Sequence, residues 1–130
     1  MTRCEIAYEN HKKGYNCAQA VACAFAKDLG LSEDVLFRLA EGFGGGMGCG
    51  NVCGAVSGMV LVAGMVKSKG IDALPDTNKK ETYTLSKELI EEFTKKSNTI
   101  ICADIKSGCA LSCDECISLG IKILEEKLGL

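Results

Sequence analysis

The chain carries nine cysteines in 130 residues: Cys4, Cys17, Cys23, Cys49, Cys53, Cys102, Cys109, Cys113 and Cys116. Thiolates bind soft metals, hold iron–sulfur clusters and exchange disulfides. Two stretches concentrate them. "GCGNVCGAVSG" sets Cys49 and Cys53 four positions apart among glycines, and "CALSCDEC" spaces Cys109, Cys113 and Cys116 as C-x3-C-x2-C. A framework of disulfide staples fits poorly, because the number is odd and the start "MTRCEIAYENHKKGYN" has no apolar core of the kind a signal peptide needs. Metal binding or redox chemistry in the cytoplasm is the expectation.

Each local motif narrows the chemistry a little. C-x3-C-x2-C is the spacing by which radical-SAM enzymes hold a four-iron cluster, but those enzymes need a much larger barrel. What survives is that three thiolates so spaced can share one cluster. "CDEC" resembles the thioredoxin C-x-x-C without its βαβ context. A zinc site of four cysteines is possible, although its ligands would be scattered rather than paired in two short knuckles. "GFGGGMGCG" holds no G-x-G-x-x-G register and no Gly-Lys-Ser/Thr, so it is not a nucleotide loop. The sole histidine, His11, lies in the polar run "ENHKKG" and reads as solvated, which leaves no Cys–His pair. Glu41 and Asp104 find no evident partner.

The elements that must position these thiols read as helices separated by glycines, with one proline at Pro75 and no convincing strand. A modest first helix spans residues 2–12. Asn16 caps a second that runs to about Leu29, and Ser32 caps a short third. After the glycine-rich loop, Asn51 opens a fourth helix to about Ser68. Thr77 or Asn78 starts a fifth, with Leu85, Leu89, Ile90 and Phe93 on one side and Glu91–Lys95 and Glu92–Lys96 as i,i+4 pairs on the other. After a short turn around "NTIICADIKSG", with a short helical stretch at "NTIICADI", the last helix runs from Cys113 to about Leu128. The fold class is an all-α, single-domain bundle of five to six helices over residues 1–130, with the glycine-rich loop before the central helix.

On these helices the cysteines fall at starts. Cys17 follows the Asn16 cap, Cys53 sits one residue beyond the Asn51-capped start, and Cys113 follows Ser112, where "SCDE" is a capping box. A first-turn sulfur gains from the unpaired N–H groups and the positive end of the macrodipole. Cys102 lies about one turn into its short helix. Cys113, Ile117, Ile121, Leu124 and Leu128 form one apolar stripe, and Cys17, Val21 and Phe25 another, so these thiols head inward faces. Cys23 and Cys4 read as bystanders. A single inward cysteine is most simply a small hydrophobe. Three at capped starts, beside a wall bared by Gly50, Gly54 and Gly58, form an arrangement that this default does not explain.

Hydrophobic residues at 47% and charged residues at 25% are ordinary for a globular domain, and a net charge of −2 makes no electrostatic case for nucleic acid or anionic lipid. The longest apolar run, Val52 to Val66, is interrupted by glycines and falls short of the ~20 residues of a bilayer span. No membrane insertion is expected. The glycine ladder suits close helix packing, and could serve a homodimer as readily as a core.

"GYNCAQAV", "GFGGGMG" followed by "VCGAVSG", then "IIC" and "C…ILEE" together resemble the redox-active protein family named C_GCAxxG_C_C after its cysteine pattern. Cys53, Gly54, Ala55 and Gly58 supply its distinctive core. Carried over by position, the family cysteines are Cys17, Cys53, Cys102 and Cys113, with Cys49, Cys109 and Cys116 as auxiliary thiols. A related domain in split-Soret cytochromes is associated with an iron–sulfur centre. The resemblance implies redox work with a partner protein or a small electron carrier. The expectation is electron transfer through an iron–sulfur centre on those four cysteines. The alternatives are a metal-free thiol–disulfide oxidoreductase, with Cys53 or Cys113 attacking and Cys49 or Cys116 resolving, and a non-catalytic binding bundle with structural zinc or buried cysteines.

Overall fold

A computed structural model describes residues 1–108 and 110–130; Cys109 lies outside the described residues. Among them are eight α-helices: α1 (Arg3–Lys13), α2 (Cys17–Cys23), α3 (Ala26–Leu29), α4 (Glu33–Glu41), α5 (Gly54–Lys67), α6 (Lys79–Ser97), α7 (Cys102–Gly108) and α8 (Cys113–Leu128). No strand occurs among the described residues, only an isolated antiparallel bridge between Val52 and Ile101. The all-α class is as expected, and the count exceeds five to six for two reasons. The helix expected over 16–29 breaks at Phe25, whose φ of −106° and ψ of 9° leave the helical region. That ring is fully buried, with the Arg3 guanidinium 5.0 Å above its centroid. The short segment at Cys102 is also a helix in its own right.

α5 is the central element and packs on α2, α6 and α8. Its own Val56, Met59 and Val62 meet Val21 from α2, Leu89 and Phe93 from α6, and Ile117, Ile121 and Leu124 from α8 in one buried core. The apolar faces read from spacing on α6 and α8 are therefore the faces that turn inward. On the outer side of α6 the ion pair formed is Glu92–Lys95, at i,i+3 and 2.7 Å, rather than the i,i+4 pairs expected. No helix among the described residues is long and apolar enough to cross a membrane.

The glycine ladder is spent inside this core. A Cβ added at Gly58 would lie 3.0 Å from both the Ala18 carbonyl oxygen and Val21 Cβ, so α2 sits directly on the glycine face of α5. That face is covered by α2, so the glycine ladder gives no support to the homodimer it could equally have served. Gly50 is outside the helix, with φ +74°.

Gly58→Ala should therefore destabilise by about 1–3 kcal/mol, the usual range for overpacking a core. Gly64→Ala, on the same helix with nothing within 4 Å of its added Cβ, should be neutral or stabilising by up to ~1 kcal/mol. Chemical denaturation of the two variants checks this. Equal effects would mean that α2 does not press on Gly58.

Candidate functional site

Three local devices bring the cysteines together. At α2, Asn16 is the N-cap in a reciprocal box with Gln19: Asn16 Oδ1 accepts from Gln19 N–H and Gln19 Oε1 from Asn16 N–H, each at 2.9 Å. Cys17 follows as the first helical residue. At α8, Ser112 and Glu115 make the expected capping box, at 3.1 and 2.9 Å, and Cys113 follows it. The third device differs from expectation. Asn51 does not cap α5; Cys53 itself is the N-cap, with φ −53° and ψ 132°, and Gly54 is the first helical residue. The reason is the Val52–Ile101 bridge: Cys53 N–H donates to the Ile100 carbonyl and Cys102 N–H to the Asn51 carbonyl, both at 2.6 Å. That pairing takes up the Asn51 backbone, at φ −82° and ψ −137°, and Cys53 and Cys102 are stapled side by side at the starts of α5 and α7.

The glycine-rich loop closes over this staple in a tight turn at Gly46–Gly50. Gly45, Gly46, Gly48 and Gly50 all take positive φ, and so does Met47, at +60°. The turn ends with Asn51 N–H donating to the Gly46 carbonyl at 2.9 Å. A Cβ at Gly46 would come within 2.9 Å of Cys102 Cβ, so only glycine lets the loop pass there.

Cys17, Cys53, Cys102, Cys113 and Cys116 consequently line one cavity of about 200 Å³, walled also by Asn16, Gly54, Ile105, Leu111, Lys106 and His11. Cys53 and Cys116 are buried and the other three half-buried. Other cysteines lie elsewhere. Cys49 is exposed, does not line the cavity, and points its thiol at the Gly46 carbonyl 3.5 Å away. Cys23 faces the Glu33 carbonyl and Cys4 the Ser118 carbonyl, both outside the cavity. Cys109 falls outside the described residues.

The environment distributes charge unevenly among these thiols. Cys53 is held well below the usual thiol range, at about 6. The largest cause is the Cys116 thiol donating toward its sulfur; the N–H groups of Ala55 and Val56 and the Lys106 charge add to it, against the cost of burial. Cys116 is pushed up, first by that same interaction with Cys53 and then by burial. Burial, then the neighbouring sulfurs of Cys113 and Cys53, push Cys17 up. Cys102 is raised by burial, with Lys106 opposing. One thiolate supported by three donors and a cation, beside protonated thiols, is the arrangement of a reactive or metal-ligating cysteine.

His11 is where sequence reasoning went wrong. It is not simply solvated: it lines the cavity, and its Nδ1 lies 2.7 Å from Asp114 Oδ1. α1 runs antiparallel to α8, with Arg3 bonded to Glu125, Cys4 facing Ser118 and His11 meeting Asp114, so the polar end of α1 arrives at the cysteine-bearing start of α8. Lys106 was missed too, and one signal pointed to it: four residues after Cys102 on a helix, it shares that cysteine's face.

Among the described residues, no group of three or more His, Cys, Asp or Glu side chains stands ready to hold a metal ion. With this geometry established, comparison with known proteins gives one match. A family model described as "Putative redox-active protein (C_GCAxxG_C_C)" matches residues 15–127. The chain belongs to this family. All five cavity cysteines fall within the matched span, and His11 lies outside it. No curated protein and no solved structure matches the chain.

The thiolate absorbance of the metal-free, reduced protein should show a step near pH 6: Cys53 is protonated below it and charged above it. Cys53→Ala should remove the step. Cys116→Ala, which deletes the largest stabilising donor, should move it up by about 1–2 units, the equivalent of one hydrogen bond to a charge. A step that survives Cys53→Ala would assign it to another thiol.

Proposed function

We propose that this protein is a small electron carrier whose redox centre, an iron–sulfur cluster, sits in the cysteine-lined cavity. Cys53 is the principal ligand, and the others come from Cys17, Cys102 and Cys113. The observation that carries the reading is the convergence of thiols from four separate helices on one cavity, with Cys53 already favouring the thiolate that ligation requires. The donor set is soft and nearly all sulfur, which suits iron–sulfur clusters or zinc. The size of the space supports the cluster. A cavity of about 200 Å³ far exceeds the roughly 10–15 Å³ one water requires and suits a polyatomic group.

When bound, the cluster would supply one-electron transfer. The chain's own residues do the rest. Ala55 and Val56 N–H groups and Lys106 balance negative charge at Cys53, while Ile105 and Leu111 keep the walls apolar, and both influences tune a cluster's potential. The electron partner is a redox protein or a small carrier that reaches the half-buried side at Cys102. A second reading, a metal-free dithiol that cycles through a disulfide, is favoured by the Cys116–Cys53 interaction. It names Cys116 as the resolving thiol in place of Cys49, which points away.

Anaerobic purification followed by a visible spectrum and assays of iron and sulfide tests the proposal. The expected protein is brown, contains both, and loses them in Cys53→Ala but keeps them in Cys23→Ala. A colourless protein whose thiols oxidise and reduce reversibly would favour the dithiol reading, and equal loss from both variants would refute the ligand assignment.

A further inference from the structure

Nothing in the cysteine pattern accounts for His11. It lies at the last turn of α1, outside the span matched by the family. It nonetheless lines the same cavity as five cysteines, and its side chain is about three-quarters shielded from solvent, at 28% exposure. Nδ1 is 2.7 Å from Asp114 Oδ1. An ionised carboxylate can only accept, so Nδ1 carries the proton, and in the neutral ring Nε2 is left with a free lone pair. A carboxylate that fixes the far nitrogen of an imidazole is the arrangement found behind metal-ligating histidines, where it sets the tautomer and raises ligand basicity. Asp114 stands directly after Cys113 on α8, so the group orienting the ring and a cavity thiol are placed by the same helix start.

We propose that His11 is a nitrogen ligand of the metal centre, bound through Nε2 and oriented by Asp114. This rests on the reading of the cavity as a cluster site and deepens it. A cluster draws four protein ligands, and histidine can replace cysteine among them. With His11 as one, Cys53 and two of Cys17, Cys102 and Cys113 complete the set, leaving one of those three thiols unnecessary for holding iron. The mixed set also raises the potential relative to an all-thiolate centre of the same type, because a neutral imidazole replaces an anionic sulfur.

The chain contains a single histidine, so an imidazole signal can come from nowhere else. The test uses the full chain, labelled with 15N at histidine and reconstituted anaerobically with iron and sulfide. Iron and sulfide content reads the parent proposal, and pulsed EPR of the reduced centre reads this one. The expected result is a nitrogen hyperfine coupling that changes with the isotope, in wild type alone and without reliance on any variant. His11→Cys should keep iron, lose the coupling and lower the reduction potential. Asp114→Asn should keep the coupling and raise the potential, since the ring becomes a weaker donor. Among Cys17→Ala, Cys102→Ala and Cys113→Ala, one should retain full iron. A centre with full iron and sulfide but no isotope-sensitive coupling would overturn the His11 assignment while leaving the cysteine site intact. Absence of iron and sulfide from wild type would defeat the parent reading and this inference with it.

Discussion

Gly54 is the contact on which the site depends. A Cβ there would lie 3.0 Å from Ala18 N, 3.2 Å from Cys17 Cβ and 3.2 Å from the Phe43 carbonyl. Three segments thus converge on a backbone with no side chain: the start of α2, the end of the turn after α4, and the start of α5. Cys17 and Cys53 flank that point, one on each helix, and their separation is set by how closely the two backbones approach. Gly58, one turn further along, repeats the contact and fixes the angle. The glycines of "CGAVSG" are therefore part of the chemistry, because a side chain at either would move one thiol-bearing helix away from the other.

Bringing five thiols to one cavity creates an electrostatic problem that the fold resolves by inequality. If all were thiolates, mutual repulsion at low effective dielectric would oppose the structure; if all were neutral thiols, none would be a ligand or nucleophile. Here Cys53 takes the charge, and Cys116 and Cys17 are kept protonated, each raised in part by the sulfurs beside it. On the proposed reading of the cavity as a cluster site, further thiols would have to lose protons as the metal binds. Lys106 and the N–H groups of Ala55 and Val56 already favour the charged form at Cys53.

Much of this was legible in the residues. Asn16 with Gln19 and Ser112 with Glu115 declare two helix starts, and the stripes behind Cys17 and Cys113 declare which way those helices face. What failed was tertiary. Asn51 has the side chain of a cap, yet the bridge to Ile101 takes its backbone, and the cap position passes to Cys53. Two isolated residues in a pairing leave no periodic trace in the sequence. His11 sits in a run that is polar by every local measure. It reaches the cavity only because α1 lies along α8 in a particular register, fixed by contacts such as Arg3 with Glu125 that are 122 positions apart. Cys49 failed in the opposite sense: it is close to Cys53 in the chain, and the left-handed turn at Met47 and Gly48 directs it outward.

The cysteines outside the cavity show what burial alone does. Cys23 is buried, faces a backbone carbonyl and is pushed up to about 11, with burial the larger cause and Glu33 the lesser. Cys4, half-buried against the Ser118 carbonyl, is likewise raised by burial. In both, burial is the largest cause and a nearby carboxylate, Glu33 or Glu125, adds to it. Cys53 is as buried as Cys23 and moves the other way, because what faces its sulfur is a set of donors. The same side chain in the same chain is thus inert or poised according to whether N–H and S–H donors offset its burial. Helix starts present N–H groups by construction, which is why a fold that gathers several of them around one cavity assembles a thiolate site there.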